Sequence, residues 1–376
     1  MIALNWWPPC EREELFDLAC GCLELGEGPM VCIEDFDRFV FIVGAPRCGT
    51  TTIAHSLKIH PAVAFPLVKE PHFFAQNDLR KLSDSDLRHR VEREYLRRFY
   101  TEEKNRRVGV DASVTYLYTP EHLEPILRLW PQSRFVVAIR NPLTMLPSLH
   151  QRLIYTGDET IPSFKDAWAA VAERAAGRGI PRCCVDPRWL RYDQAARFGT
   201  YLERLFAAVG RERCFVLLFD DLVAEPGRQY EQLMRFIGID ALPNAGFAAC
   251  RPSKRVRSRW LQRWLKRPPV AVRTYLAGEQ FNRRLRDLDG PDVGVPKSLL
   301  SLRKRLLTWN RVSSPPQPMA AELQSEIRRE LADEMEKLGS ILGRDLSHWL
   351  GQDRAAFKAP NALAHAFAMH NWQSAA

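Results

Sequence analysis

Three features are missing from this chain of 376 residues. No run of about eighteen apolar residues occurs, so no membrane-spanning helix is predicted. No Cys-x-x-Cys occurs among the nine cysteines, and the pairs Cys20/Cys22 and Cys183/Cys184 stand too close for zinc knuckles. Their scatter points to reduced thiols and to no metal site. Residues 1–10 lack the basic start and apolar run of a secretory leader. These absences predict a cytoplasmic protein. No internal repeat is found. Acidic residues are the minority, 45 against 54 Lys and Arg, for a net charge of +9. Much of the excess lies in residues 251–267 and 303–311. A basic surface of this kind attracts nucleic acid, an anionic nucleotide or an acidic glycan, and charge alone does not choose among them.

Short apolar runs rich in β-branched and aromatic residues occupy positions 39–43, 107–110, 134–139 and 214–219, with a shorter one at 63–67. Such runs read as buried strands. Helical spacing covers 51–59, 120–129, 142–155, 190–209 and 230–237 between them. The alternation predicts an α/β fold: a P-loop-like three-layer sandwich with a central parallel sheet flanked by helices. Residues 79–106 read as a charged, exposed helical stretch, 243–320 as loops with short helices, and 321–338 as one amphipathic helix. The expected organisation is a lead-in at 1–37, one domain at 38–350 and a tail at 351–376.

The first strand runs into Gly44-Ala-Pro-Arg-Cys-Gly49-Thr50-Thr51-Thr52, which opens a helix. Glycines let the backbone turn and approach an anion, and the helix N-terminus holds it. The spacing mimics G-x-x-x-x-G-K-[ST], but Thr50 stands where the lysine belongs and the cation, Arg47, sits inside the loop. Triphosphate hydrolysis needs that lysine and magnesium; a phosphosulfate needs neither. A second cue follows strand 134–139, where Arg140-Asn-Pro142 precedes Ser148 by eight residues. An arginine at the carboxyl end of a parallel strand and a hydroxyl on the next helix can share one phosphate. Each cue also has a bland reading, a ligand-free turn or a surface ion pair.

Together these segments resemble the family of sulfotransferases that use 3′-phosphoadenosine 5′-phosphosulfate (PAPS). Leu57-x-x-His60-Pro61 and Lys69-Glu-Pro-His-Phe-Phe74 are similar to its bacterial and heparan-sulfate-type branch. Residues 215–222 and 342–349 are similar to later family segments, so the likeness spans about 39–350. The resemblance implies that Arg47, Cys48, Gly49, Thr50, Thr51 and Thr52 contact the 5′-phosphosulfate. It implies that Arg140 and Ser148 hold the 3′-phosphate. It makes Glu70 the catalytic base, with Lys69 and His72 beside it. Lys254 and Arg255 stand where the family closes a basic loop over the nucleotide, here without that loop's glycine. Arg47 replaces the family's loop lysine, and residues 111–116 lack the lysine and proline of the heparan-type acceptor stretch.

The expected reaction is in-line sulfuryl transfer from PAPS to a hydroxyl or amine, on a glycan or another small acceptor. Glu70 takes the proton and Arg47 clamps the leaving charge. The product is 3′-phosphoadenosine 5′-phosphate (PAP), and no metal takes part. Tyr116, Tyr118, Trp168 and Trp189 are candidates to stack on sugar rings. Two rivals remain: a phosphate-loop kinase using Asp111, Asp220 or Asp221 for magnesium, and a non-catalytic nucleic-acid binder using residues 251–267. Acceptor identity and oligomeric state stay open.

Overall fold

The computed structural model describes residues 31–100, 106–182, 184–243, 247, 254–266, 297–313 and 319–351. Its centre is a five-stranded sheet built from β1 (Arg38–Gly44), β2 (Val63–Ala64), β3 (Val108–Asp111), β4 (Arg134–Ile139) and β5 (Cys214–Leu218). The order is β2-β3-β1-β4-β5, and every pairing is parallel. The expected parallel α/β architecture, with helices flanking the sheet, is therefore observed.

The central strands are apolar because both of their faces are covered. Residues 39–43 of β1 and 135–139 of β4 have no exposed surface. Phe39 packs on Trp130 with ring centroids 4.2 Å apart, and Phe41 stacks on Phe135 at 5.6 Å. Gly109 on β3 keeps Phe39 in place, since a Cβ there would lie 2.4 Å from its ring. Residues 31–36 join this core: Val31, Ile33 and Phe36 are buried, and the Trp130 indole donates to the Ile33 carbonyl at 3.1 Å.

After β1 the chain crosses to β2 and β3 on one side. After β4 it crosses to β5 on the other. The carboxyl ends of β1 and β4 therefore flank the switch point, where open α/β sheets leave a crevice.

Four elements depart from their expected form. The stretch 79–106 is not simply exposed, because Leu87, Val91, Tyr95, Leu96, Phe99 and Tyr100 face inward. The helix expected over 190–209 is divided into Pro187–Leu190, Tyr192–Ala195 and Phe198–Val209. Its last part begins where it does because the buried Glu334 carboxylate accepts from the Thr200 backbone N–H at 2.9 Å and from its hydroxyl at 2.6 Å, a cap supplied from far along the chain. The helix over 321–338 is two helices, Ala321–Glu330 and Ala332–Leu342, with Leu331 out of helical geometry between them (φ −107°, ψ 9°). Finally, the stretch 243–320 contains a second sheet. β6 (Lys254–Val256) pairs antiparallel with β7 (Arg311–Ser313) beside the helices Arg259–Lys266 and Lys297–Trp309. Residues 1–30 of the expected lead-in (1–37) and 352–376 of the expected tail (351–376) lie outside the described residues.

Candidate active site

The loop after β1 is anchored to β4 by the Ala45 backbone N–H, which donates to the Ala138 carbonyl at 2.7 Å. It ends at Gly49, the N-cap of helix Thr50–Lys58, with φ at 94°. Any side chain there would be strained, and its Cβ would sit 2.9 Å from Leu222 Cδ2.

Arg47 also holds a positive φ, 65°. Its Nε donates to Ser148 Oγ at 3.0 Å. Arg140, directly after β4, donates from Nη1 to the Arg47 carbonyl at 3.4 Å and from Nε to Thr144 Oγ1 at 2.9 Å. Its guanidinium lies 4.5 Å from the Phe219 ring centroid, a cation–π contact. The two segments singled out in the sequence thus meet at the switch point. Pro147 does not break the helix carrying Ser148, which runs unbroken over Pro142–Thr156.

The loop residues divide by exposure. Thr51 is exposed, Thr52, Arg47 and Gly49 are half-buried, and Thr50 is buried. Cys48 has no exposed surface, and its Sγ contacts the Pro46 carbonyl at 3.5 Å. Burial pushes its thiol up to about 12. The Cys48 side chain therefore packs the loop from beneath, so any contact it makes with an anion runs through its backbone. Lys254 and Arg255 lie on β6, the strand that packs against helix Pro142–Thr156.

Glu70 and His72 occupy the loop after β2, both in the left-handed region, with φ of 68° and 58°. Lys69 Nζ pairs with Glu70 Oε1, and His72 Nε2 lies 3.8 Å from Glu70 Oε2. The His72 backbone N–H donates to Ser113 Oγ at 2.9 Å, and its Nδ1 lies 2.8 Å from Thr115 Oγ1. Burial lowers the His72 pKa below its ordinary value, more than the nearby Glu70 charge raises it. The turn that holds His72 also abuts the loop after β1, because a Cβ on Gly44 would lie 2.8 Å from Leu117 Cβ and 3.3 Å from the Val114 carbonyl oxygen. The turn after β3 thus abuts both the Glu70–His72 loop and the start of the loop after β1.

Behind His72 lies Asp111, expected from sequence as a magnesium candidate and as the first residue of the 111–116 stretch. Asp111, the last residue of β3, is fully buried. It accepts from Ser113 Oγ at 2.6 Å, from the Tyr116 hydroxyl at 2.8 Å and from the Tyr95 hydroxyl at 2.9 Å. Burial pushes its carboxyl up to about 6 against the lowering effect of these donors. Both oxygens are engaged by side-chain hydroxyls. Asp220 accepts from the Trp349 indole at 2.9 Å, and Asp221 pairs with Arg344. Each of the three acids named as a magnesium candidate is thus already engaged by a hydrogen bond or an ion pair within the chain. Among the aromatics proposed for sugar stacking, Tyr116 and Trp168 belong to the core, while Tyr118 and Trp189 are half-buried and pack edge to face at 4.9 Å.

A family model described as the sulfotransferase family matches residues 40–243, more than half of the chain. The chain belongs to the sulfotransferase family. Within it, the chain is 25% identical to human heparan sulfate glucosamine 3-O-sulfotransferase 6 over 280 residues, 67% of this chain and 72% of that protein. A shorter match of 45 residues, 40% identical, links it to human carbohydrate sulfotransferase 15, covering 12% of this chain and only 7% of that protein's length. Its fold is similar to that of a sulfotransferase from Alicyclobacillus acidocaldarius, with a TM-score of 0.51 and 21% identity over 82% of this chain and 97% of that one. The matched region of this sulfotransferase-family chain contains residues 44–52, Glu70, Asp111, Arg140 and Ser148. Among the described residues no helix is long and apolar enough to cross a membrane.

Proposed function

We propose that this protein transfers the sulfuryl group of PAPS to a hydroxyl or amine of an acceptor, with a carbohydrate as the acceptor class. The observation that carries this is the junction of Arg47, Arg140 and Ser148 at the carboxyl ends of β1 and β4. Two guanidiniums, a hydroxyl and a helix N-terminus form a donor set suited to phosphate and sulfonate oxygens. It provides the loop cation of a phosphate site without the lysine that a triphosphate needs.

The nucleotide supplies the activated sulfuryl group. In the transfer the acceptor oxygen or nitrogen bonds to sulfur, the bond from sulfur to the bridging phosphate oxygen breaks, and PAP departs. Glu70 takes the acceptor proton. Its Oε1 is tied to Lys69, which leaves Oε2, the oxygen facing His72, for that proton. Arg47 offsets the negative charge growing on the bridging oxygen and remains protonated throughout. Arg140, Ser148, Thr51 and Thr52 hold the nucleotide, and Lys254 and Arg255 are assigned to its outer side. The long match to a heparan sulfate sulfotransferase and the net charge of +9 support an acidic glycan. The scattered cysteines, free at Cys32, Cys48, Cys184 and Cys214, support a cytoplasmic, reducing location.

The test is single-turnover transfer of radiolabelled sulfur from PAPS to a panel of glycans, phenols and amines. Glu70→Gln is expected to lose about 10²- to 10⁴-fold in rate while binding PAP as the wild type does. Turnover near the wild-type rate removes Glu70 from the role. Absence of labelled product with every panel member overturns the transferase reading.

A further inference from the structure

Non-glycine residues remain at positive φ only where their surroundings over-determine them, and Glu70 and His72 both do so. His72 is held at two points, its backbone N–H on Ser113 Oγ and its ring on Thr115 Oγ1. A serine hydroxyl has one proton to give. Ser113 gives it to Asp111 Oδ1 at 2.6 Å, so lone pairs alone face His72, as the His72 N–H requires. Asp111 in turn is fixed by the Tyr95 and Tyr116 hydroxyls inside the core. A continuous chain of hydrogen bonds therefore runs from the buried end of β3 to the backbone of the Glu70–His72 turn.

We propose that Asp111 and Ser113 are positioning residues for the transfer step: the buried carboxylate sets the direction of the Ser113 hydroxyl, and that hydroxyl holds the turn that presents Glu70. This rests on the reading of Glu70 as the base. Neither residue touches the reacting atoms. Their effect is geometric, and a displacement of about 1 Å in a reacting group costs on the order of 10²-fold in rate.

Ser113→Ala removes one buried oxygen and is the primary variant. It is expected to lower kcat by about 10²-fold, with the Kd for PAP changed by less than about twofold. Ser113→Thr, which restores the hydroxyl, recovers most of the loss. Introduced on a Glu70→Gln background, Ser113→Ala costs nothing further, because the group it positions is already gone. Asp111→Asn reproduces the kcat loss, and where that variant does not fold the serine series decides alone. If Ser113→Ala turns over like the wild type while Glu70→Gln is inactive, this inference is overturned and the base reading stands. If Glu70→Gln turns over normally, the base reading fails. A kcat loss in Ser113→Ala seen alongside that result also overturns the inference, since the turn then positions something other than Glu70.

Discussion

Asp111 is a carboxylate in a place where charge is costly. Burial raises its pKa to about 6 in the folded protein, against about 3.9 for an unperturbed aspartate. Between those values the folded state holds more of the proton than the unfolded state does. Stability contributed by this group is thus present below pH 4 and falls as pH rises toward about 6, then stays flat. The total is on the order of 3 kcal/mol. Replacing the acid by asparagine removes the titration. The difference in unfolding free energy between wild type and Asp111→Asn, from urea titrations, should therefore shift toward the variant between pH 4 and 6 and stay constant above. A difference constant from pH 4 to 8 would show that Asp111 keeps an ordinary pKa. The same residue shows the limit of sequence reading. An aspartate after an apolar run looks like a ligand, and only the fold shows that Tyr95, Ser113 and Tyr116 converge on it.

At the level of elements, the loop between β1 and helix Thr50–Lys58 is shaped by what lies beneath it. Gly49 leans on Leu222 and Phe219, and Phe219 carries the Arg140 guanidinium on its face. Gly49→Ala places a Cβ in the left-handed region, 2.9 Å from Leu222 Cδ2 and 3.3 Å from Phe219 Cδ2. The expected cost is about 1–3 kcal/mol in chemical denaturation. PAP affinity should weaken as well, because the displaced Phe219 supports Arg140. Full stability and full PAP affinity would mean the loop relaxes freely. The loop was legible in the sequence because it is local: a strand, two glycines and a threonine-rich helix start fall within fifteen residues. The break at Leu331 was not, because one residue out of helical geometry leaves the spacing of apolar residues nearly unchanged. The cap on helix Phe198–Val209 was not either, since its carboxylate lies 134 residues along the chain from Thr200.

For the whole molecule, the proposed site draws on segments over a hundred residues apart in the chain, Arg47 and Ser148 being separated by 101. A ligand that bridges them binds the folded chain alone and stabilises it. PAP at about one hundred times its Kd should add about 2.7 kcal/mol, read as a rise in Tm. ATP at the same concentration should add less, and Arg140→Ala should abolish the PAP effect. An equal response to ATP would favour the phosphate-loop kinase reading. A response to random DNA that collapses steeply with salt would favour the nucleic-acid binder, for which Trp260 and Trp264 stand exposed among arginines on helix Arg259–Lys266.

The parallel α/β class, the glycine- and threonine-rich bend after the first strand and the Arg140–Ser148 spacing could be read along the chain, because each is written in short-range spacing of apolar, glycine and polar residues. Only folding brings Arg47 to Ser148, turns the Cys48 side chain inward and links Asp111 through Ser113 to the His72 backbone. Those relations depend on strand order and on which hydroxyls share a buried carboxylate, and neither leaves a periodic trace along the chain.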